Sequence, residues 1–394
     1  MSKKMVEISM LKNYAPSNLN RDEGGNPKDC VFGGVLRGRI SSQCIKRSIR
    51  KSAFFSDALG ESLLGIRTVH MPSCVASILK NRGYTQELAE AAAEWLANTG
   101  KSKKNIEDSP EDDKDEGNKE LRTAQIMFFS KEELEAIADE AAKMIEETGR
   151  DLKAIKKLKN AGDSIESELK KKGIKPVSVD MAMFGRMITS NAYKNVEASV
   201  QVAHAVSTNK LEREFDFFTA VDDVPQGDEM QQGGSGMLGD TGFNSNCYYM
   251  YCAIDLEELE KNLSALGEEA ENIAKKAVVA FAKAFAYANP SGKQNSFAAH
   301  SLPGLVCVSI KDKKIPINLA DAFLKPAMYG YGKDLMHDSA EKLINHIDKL
   351  DDKYSDTKPE TRLWFTMNDD IKGPKYAEKC EKFDLLLERL RESI

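Results

Sequence analysis

The sequence predicts an α+β fold whose strands and helices follow one another in a ferredoxin-like order. Met5–Leu11 alternates polar and apolar residues, Cys247–Ile254 is rich in aromatic and apolar residues, and Leu305–Ile310 is an apolar run, so each is expected to form a strand. With long insertions set aside, the order is strand, helix, strand pair, helix, strand, which is the ferredoxin-like arrangement. We therefore expect one sheet with helices packed against it.

The first two elements of this order are a strand and a short helix. The alternation in Met5–Leu11 predicts a half-buried strand. A helix is expected to begin at Ser41, because serine is a favoured N-cap residue. Ile45, Ile49 and Phe54 follow at helical spacing and predict the buried face of this helix.

The segment Lys28–Phe55, which contains this helix, is basic although the whole chain is not. It holds one acid, Asp29, against seven basic residues, namely Lys28, Arg37, Arg39, Lys46, Arg47, Arg50 and Lys51. The four basic residues within the helix form two pairs spaced four apart, so they repel one another along its outer side. Charge alone leaves two interpretations open, a solvated helix face or a surface that binds a polyanion. The hydroxyl and amide groups of Ser41, Ser42 and Gln43, at the start of the helix, can donate hydrogen bonds to phosphate and ribose. They therefore favour RNA as the bound polyanion.

A long helical insertion follows, from about residue 61 to 174. Within it, Asn105–Glu120 contains eight acids and almost no apolar residue, which predicts a flexible acidic loop without the ligand spacing of a calcium site. The helices expected on either side are Cys74–Lys80, Gln86–Ala97, Lys131–Gly149 and Asp151–Lys172.

Strand character returns after the insertion. Lys175–Met187 and Ala198–Val206 are expected to be strands, and Val224–Asn246 is rich in Gly, Gln and Asp, which predicts a flexible excursion. The tyrosines of Cys247–Ile254 would face both sides of the sheet, and core packing is favoured over base stacking because the aromatic RNA-binding pattern of an RRM is absent. Leu256–Leu263 and Glu268–Ala286 are expected to be helices.

Composition limits the function classes. The 394 residues carry a net charge of −6, so a nucleic-acid site must be local. No apolar run of about 18 residues predicts a membrane span, and the N-terminal residues lack a signal-peptide core. The seven cysteines form no C-x-x-C pair and the five histidines are scattered. We therefore expect free thiols in a reducing cytoplasm, with no metal and no cofactor.

Several short motifs follow one another in order along the chain. They are Leu19-Asn20-Arg21-Asp22, Lys28-Asp29, Phe32-Gly33-Gly34, RISSQ at Arg39–Gln43, Lys46-Arg47, GRM at Gly185–Met187, AHA around His204, FFTAVDD at Phe217–Asp223 and GKQ at Gly292–Gln294. This ordered set, which spans about residues 5–310, resembles the CasC family, the repeated crRNA-binding backbone subunits of the type I-E CRISPR Cascade complex.

The resemblance implies a hand-shaped molecule. A modified RRM-like palm would comprise residues 1–60 and 175–310, a helical fingers insertion residues 61–174, and a β-hairpin thumb residues 208–246. Residues 311–394, where the resemblance weakens, would be a C-terminal helical tail for packing or subunit contact.

The resemblance also implies a role in antiviral defence. Copies of the chain would assemble along a CRISPR guide RNA, with other Cascade subunits, and hold the guide kinked for pairing with target DNA. The residues implied as RNA contacts are Arg21, Lys28, Ser41, Gln43, Lys46, Arg47, Arg50, Arg186 and Met187. The thumb residues implied to displace a base are Phe217, Phe218 and Thr219. Core packing for Met187, and a buried anchor at Phe217–Phe218, are the open alternatives.

The main alternative is a metal-dependent ribonuclease, as in related CRISPR effectors. Asp222–Asp223 or the pair Asp22 and Asp29 would hold Mg²⁺. Adjacent aspartates in a strand point apart, and Asp22 and Asp29 are expected to pair with Arg21 and Lys28 instead. No catalytic residue is therefore predicted, and the chain is expected not to be an enzyme.

Overall fold

The structure is a computed structural model that describes residues 4–97, 121–123, 125–158, 160–174, 177–188, 193–221, 235–330 and 332–394. The predicted acidic loop Asn105–Glu120, Asp222–Asp223 and the centre of the predicted thumb lie outside these residues. The chain divides into two compact units. The first comprises residues 1–58, 200–257 and 275–394, and the second comprises residues 59–199 and 258–274.

A large sheet forms the centre of the first unit. Its strands are β1 (Met5–Asn13), β2 (Asp29–Phe32), β3 (Val35–Ile40), β6 (Val200–Val202), β7 (Ala205–Ser207), β10 (Cys247–Asp255), β11 (Leu305–Lys311), β12 (Thr361–Thr366) and β13 (Glu378–Lys379). Their order is β13-β12-β11-β1-β10-β7-β3-β2, and β6 pairs with β10 beside β7. The pairs are antiparallel except for β12 with β13.

Strand β1 is central rather than half-buried, so that expectation from its alternation was wrong. Its neighbours are β10 and β11, and Met5 to Lys12 are all buried. The polar residues in the alternation have partners inside the protein. Glu7 accepts hydrogen bonds from the Tyr251 hydroxyl (2.5 Å) and the Ile317 amide (2.6 Å) and pairs with Lys311. A polar residue in a strand therefore does not establish a solvent-facing side when a buried partner exists.

Helices cover both faces of this sheet. They are α1 (Ser42–Arg50), α2 (Ala53–Leu59), α10 (Ala270–Tyr287), α11 (Gln294–Phe297), α12 (Leu335–Lys353) and α13 (Phe383–Ser393). Leu343 and Ile347 of α12 pack in one core cluster with Tyr249 and Trp364. The side chain of Met250 points to the opposite face of the sheet, because Met250 follows Tyr249 directly in the strand. Residues of α1 and α10 lie beside it.

The α+β class predicted from the sequence is confirmed, and the predicted tyrosine packing is confirmed as well. Tyr248, Tyr249 and Tyr251 are all buried within the sheet's two cores. Leu305–Lys311, however, is not the last strand, because Thr361–Thr366 pairs with it. The segment after residue 310 is therefore helical only in part and contributes to the sheet.

The second unit is mainly helical. Its helices are α3 (Met71–Asn81), α4 (Gln86–Leu96), α5 (Lys131–Glu147), α6 (Leu152–Lys157), α7 (Ala161–Lys172), α8 (Val179–Phe184) and most of α9 (Leu256–Asn262), with the strand pair β4 (Ile66–Thr68) and β5 (Met127–Phe129). Val75, Ala92, Ile137 and Ile165 lie in one core cluster of this unit. The helices predicted for the insertion are thus present, although Asn160 in the left-handed region separates α6 from α7.

The strand predicted at Lys175–Met187 was wrong, because its described part contains α8. The Ser178 hydroxyl caps this helix by accepting a hydrogen bond from the Met181 amide at 3.4 Å. Gly185, with φ of +79°, ends it. Val179 to Met183 are all buried, and a short apolar run of this kind is compatible with either a strand or a buried helix.

The segment predicted to be the thumb contains a separate two-stranded hairpin. Strand β8 (Glu214–Val221) pairs antiparallel with β9 (Ser235–Phe243), and Phe217 lies opposite Asp240. The base is fixed to the loop after β1, since the Asn18 side-chain amide donates to the Gly242 carbonyl at 2.9 Å. The assignment of palm, fingers, thumb and tail remains a prediction.

In the part of the chain that the structure describes, no helix combines the length and apolar character that crossing a bilayer would require.

Candidate nucleic-acid interface

Helix α1 forms as its sequence predicts. The Ser41 hydroxyl accepts a hydrogen bond from the Cys44 amide at 3.3 Å, and the Ser41 amide donates to the Asn20 side chain at 2.8 Å. Ile45 and Ile49 are buried. Ser41 is itself buried and its hydroxyl serves as the N-cap, so this residue holds the helix in place.

The buried face of the helix ends earlier than predicted. Phe54 is 41% exposed and packs against Tyr287 in a tilted arrangement, with the ring centroids 4.8 Å apart, whereas Phe55 is fully buried. The reason is a break in the helix at Lys51–Ser52, which shifts the spacing of the residues that follow.

The outer side of α1 carries the predicted polar and basic residues. Gln43 and Arg47 are exposed, while Lys46 and Arg50 are half-buried. Partial burial lowers the pKa of Lys46 because the charged ammonium loses hydration. A polyanion bound over this face would give these cations favourable electrostatic interactions in place of lost hydration.

Arg21 and Arg47 line the same open cavity, which measures about 470 Å³. Asn20, Ser48 and Gly292 also line it, together with the acids Asp22 and Glu23. At Gly292 a Cβ atom would lie 2.3 Å from the Leu19 carbonyl oxygen, so glycine is required for this close approach of two loops. The GKQ and LNRD motifs therefore meet at the cavity wall.

A second basic group adjoins the start of α1. The Arg39 guanidinium donates to the Asp29 carbonyl at 3.0 Å and lies 3.1 Å from Nδ1 of His204. Burial, followed by the charges of Arg39 and Lys28, lowers the pKa of His204. The charges of Arg47 and Lys28 likewise act on the Cys44 thiol, whose pKa is raised overall by burial. The charge of Lys28 therefore acts both on His204, which contacts Arg39, and on Cys44, on which the charge of Arg47 also acts.

We name this surface the basic groove, defined by Arg21, Lys28, Arg39, Lys46, Arg47, Arg50 and His204. Arg39 and His204 were not predicted as contacts, although both lie in motifs that the sequence singled out. Arg37, which belongs to the same basic segment, is fully buried and donates to the carbonyls of Ser207 and Phe323 at 2.9 and 2.6 Å. It is a structural residue.

The acids considered as metal ligands have other partners. Asp29 pairs with Arg213 rather than with Lys28. Asp22 accepts a hydrogen bond from the Asn26 amide at 2.9 Å, which closes its own loop. Among the described residues, His, Cys, Asp and Glu side chains form no group of three or more that could hold a metal ion.

The structure contradicts the prediction that Arg186 contacts RNA. Its side chain is buried in the second unit and forms an ion pair with Glu133 at 2.6 Å. All five of its N–H groups are used, by the Glu133 carboxylate and by the carbonyls of Phe128 and Lys194. Met187, in contrast, is 93% exposed, so the alternative of core packing was wrong.

The hairpin presents its aromatic residues to solvent. Phe217 is 68% and Phe218 36% exposed, and Thr219 is exposed, so the alternative of a buried anchor was wrong. Phe218 lies over Gly239 of the paired strand, where a Cβ atom would come within 2.6 Å of its ring. Phe215, which sequence reasoning did not select, shares the face of Phe217 and is 60% exposed.

Comparison with known proteins identifies the family. Residues 6–391 match the family model described as CT1975-like protein, Cas_CT1975. The chain is similar to one from a "CRISPR RNA-guided surveillance complex, pre-nicking", with 29% identity, a TM-score of 0.80 and 99% of each chain covered. A second chain, from a "CRISPR RNA-guided surveillance complex", shares the fold at 24% identity and a TM-score of 0.70, covering 99% of this chain and 100% of the other. No curated protein matches.

The match covers nearly the whole chain, so it includes the basic groove, the hairpin and the C-terminal strands. It agrees with the ordered motifs on which the resemblance to the CasC family was based. This chain therefore belongs to the CT1975-like family of CasC-like proteins.

Proposed function

We propose that this chain is a backbone subunit of a type I-E Cascade-like complex, and that its copies assemble along a CRISPR guide RNA and hold it kinked for pairing with target DNA. The observation that carries the proposal is the basic groove. On a protein of net charge −6, it concentrates cations from three sequence motifs around the capped start of one helix. The similarity to chains of RNA-guided surveillance complexes supports guide RNA as the polyanion.

The order of the central strands supports an RRM-like palm as part of this proposal. Strands β11, β1, β10 and the pair β6 and β7 follow one another across the sheet, with α1 and α10 in the two crossovers. A ferredoxin-like unit has this order of elements. The guide would lie across the basic groove, and the exposed Phe217 and Phe218 would displace a base from the stack.

We also propose that the chain is not itself a nuclease. The pairing of Asp29 with Arg213 and the loop-closing role of Asp22 support this, because a metal ion would have to displace these partners. If the chain were a metal-dependent ribonuclease, the purified protein would cleave paired RNA with Mg²⁺, and Asp22→Ala or Asp29→Ala would abolish the cleavage.

The proposal is tested by co-purification. The chain is expressed with its sister subunits and a CRISPR array, purified by size, and the bound nucleic acid is sequenced. A large particle that carries uniform array-derived RNA is expected. A monomer free of RNA under the same conditions would overturn the proposal.

A charge-reversal variant tests whether guide binding depends on the basic groove. Lys46→Glu with Arg47→Glu is expected to abolish guide loading without unfolding the protein, because it replaces two cations with two anions at the phosphate surface. The matched control is Lys156→Glu with Lys157→Glu, which changes the same charge on exposed residues of α6. The control is expected to load guide normally, and equal loss in both variants would exclude a specific role for the groove.

A further inference from the structure

We propose that His204 contacts the guide RNA as a neutral hydrogen-bond donor, through Nε2–H, with Arg39 as the residue that positions it. This inference rests on the proposed function and gives one residue of the basic groove a chemical role different from that of the surrounding cations. It follows from the place of His204 in the sheet, from its bond to Arg39, and from its exposure.

His204 lies on a β-bulge. Val202 pairs with Cys252 and Val206 pairs with Tyr249, so three residues of this segment face two residues of β10. A bulge of this kind redirects a side chain and is common beside functional sites. On its other side the segment pairs with β3, where Arg39 lies opposite Val206. The bulge therefore brings the imidazole to Arg39, at the edge of the basic groove.

The bond to Arg39 selects the tautomer. A guanidinium carries only donors, so the Nδ1 atom, 3.1 Å from Arg39 Nη1, must be the acceptor. The proton of the neutral ring is then on Nε2. The carbonyl of Asp29, which accepts from Nε of Arg39 at 3.0 Å, holds the guanidinium in this orientation. Partial burial of the ring, followed by the charges of Arg39 and Lys28, opposes its protonation.

The ring is available to a ligand. His204 is exposed, and within the described residues Nε2 has no hydrogen-bond partner. The acceptor in RNA would be an oxygen atom of either the ribose 2′-hydroxyl or the phosphate. A neutral donor at this place adds affinity without adding charge, which separates its effect from that of the surrounding cations.

Salt-dependent binding provides the test. Full-length protein, stripped of nucleic acid, is titrated with an unstructured single-stranded RNA at several salt concentrations. His204→Ala is expected to weaken binding by about threefold to tenfold, as for one lost hydrogen bond, with an unchanged log–log salt slope. His204→Gln, which retains a neutral donor, is expected to recover part of the affinity. Arg47→Gln should instead make the slope shallower by about 0.7.

The outcomes separate this inference from the proposed function. Unchanged affinity in His204→Ala, or a slope reduced as in Arg47→Gln, would overturn the neutral-donor role while leaving the groove intact. If Lys46→Glu with Arg47→Glu also binds RNA like the wild type, the proposed function fails as well. Repeating the comparison on DNA of the same sequence identifies the acceptor, since the effect of His204→Ala disappears if it is the 2′-hydroxyl and persists if it is the phosphate.

The tautomer is tested directly by NMR of protein labelled with ¹⁵N in histidine, where the signals absent from His204→Ala identify the ring. An unprotonated Nδ1 and a protonated Nε2 are expected at neutral pH, with a shift of the Nε2–H signal when RNA is added. Arg39→Ala is expected to give a mixture of tautomers, which a merely structural role of Arg39 would not produce. A protonated Nδ1 in the wild type would overturn the proposal.

Discussion

Lys12 is a fully buried amine in the central strand β1. Its Nζ atom donates to the carbonyls of Ala286 and Ala288 at 2.9 and 3.3 Å, at the C-terminal end of α10. Burial lowers its pKa to about 7 because the charged form loses hydration. The alternation in β1 did not reveal this residue, since its partners lie more than 270 positions away in the sequence.

The buried amine makes stability depend on pH. Above pH 7 the folded state binds fewer protons than the unfolded state, whose lysine titrates near 10.5, so the free energy of unfolding rises with pH between these values. This group contributes at most about 1.4 kcal/mol per pH unit. Urea denaturation of the wild type and Lys12→Met at pH 7 and pH 9 measures it, because other titrating groups are common to both proteins. The variant should lack this contribution, and exposed Lys157→Met should retain it.

Arg186 lies in a motif that was matched correctly, but the RNA contact implied for it was wrong. GRM matched the family pattern, but the buried Glu133 that occupies the guanidinium lies 53 positions earlier in the sequence. Arg186→Met leaves this carboxylate buried without its partner and is expected to cost about 3–5 kcal/mol of unfolding free energy. The double variant Arg186→Met with Glu133→Leu should recover much of that loss. Denaturant midpoints of the three proteins measure both effects, and a stable single variant would contradict the assignment.

At the scale of elements, the sequence was informative where the signal is local. A serine cap and two isoleucines four residues apart predicted α1, and both act as expected. The signal failed for α8, where an apolar run is compatible with a strand or a buried helix. Helix α6 and helix α7 were predicted as one, because the left-handed Asn160 has no strong sequence signature.

The hairpin gives a prediction for an element. Phe217→Ala removes an exposed ring, so the free energy of unfolding should change by no more than about 0.5 kcal/mol. If Phe217 displaces a guide base as proposed, the same change should reduce that displacement in the assembled particle, because the ring no longer separates the bases. Thermal unfolding and chemical probing of the guide measure the two effects. Leu302→Ala, a change at a residue 50% exposed outside the hairpin, is the control and should leave the probing pattern intact.

At the scale of the whole molecule, most of the fold class was predictable and the extent of the sheet was not. The strand order depends on pairings between residues hundreds of positions apart, which no local pattern reports. The family resemblance extends only to about residue 310. It did not reveal β12, whose Trp364 is buried against the core that α12 covers.

The pairing of β12 with β11 leads to a prediction for a shortened chain. A protein that ends after Lys311 loses α12 and β12, which exposes one face of the sheet and the apolar edge of β11. Exposed apolar edge strands pair with other chains, so this protein should be aggregated or insoluble. The matched control is the full-length chain, which keeps α12 and β12. Size-exclusion chromatography distinguishes the outcomes, and a monodisperse protein ending at Lys311 would contradict a structural role for β12.

The position of β1 also has a consequence for how the protein is made. Its partner β10 begins at residue 247 and its partner β11 at residue 305, so the strand leaves the ribosome long before either exists. At about 5–20 residues per second, the interval of more than 230 residues before β10 corresponds to roughly 12–50 s of translation. During this time the nascent chain carries an unpaired and largely apolar strand. Strand β1 is therefore synthesised long before it can complete its pairing in the sheet.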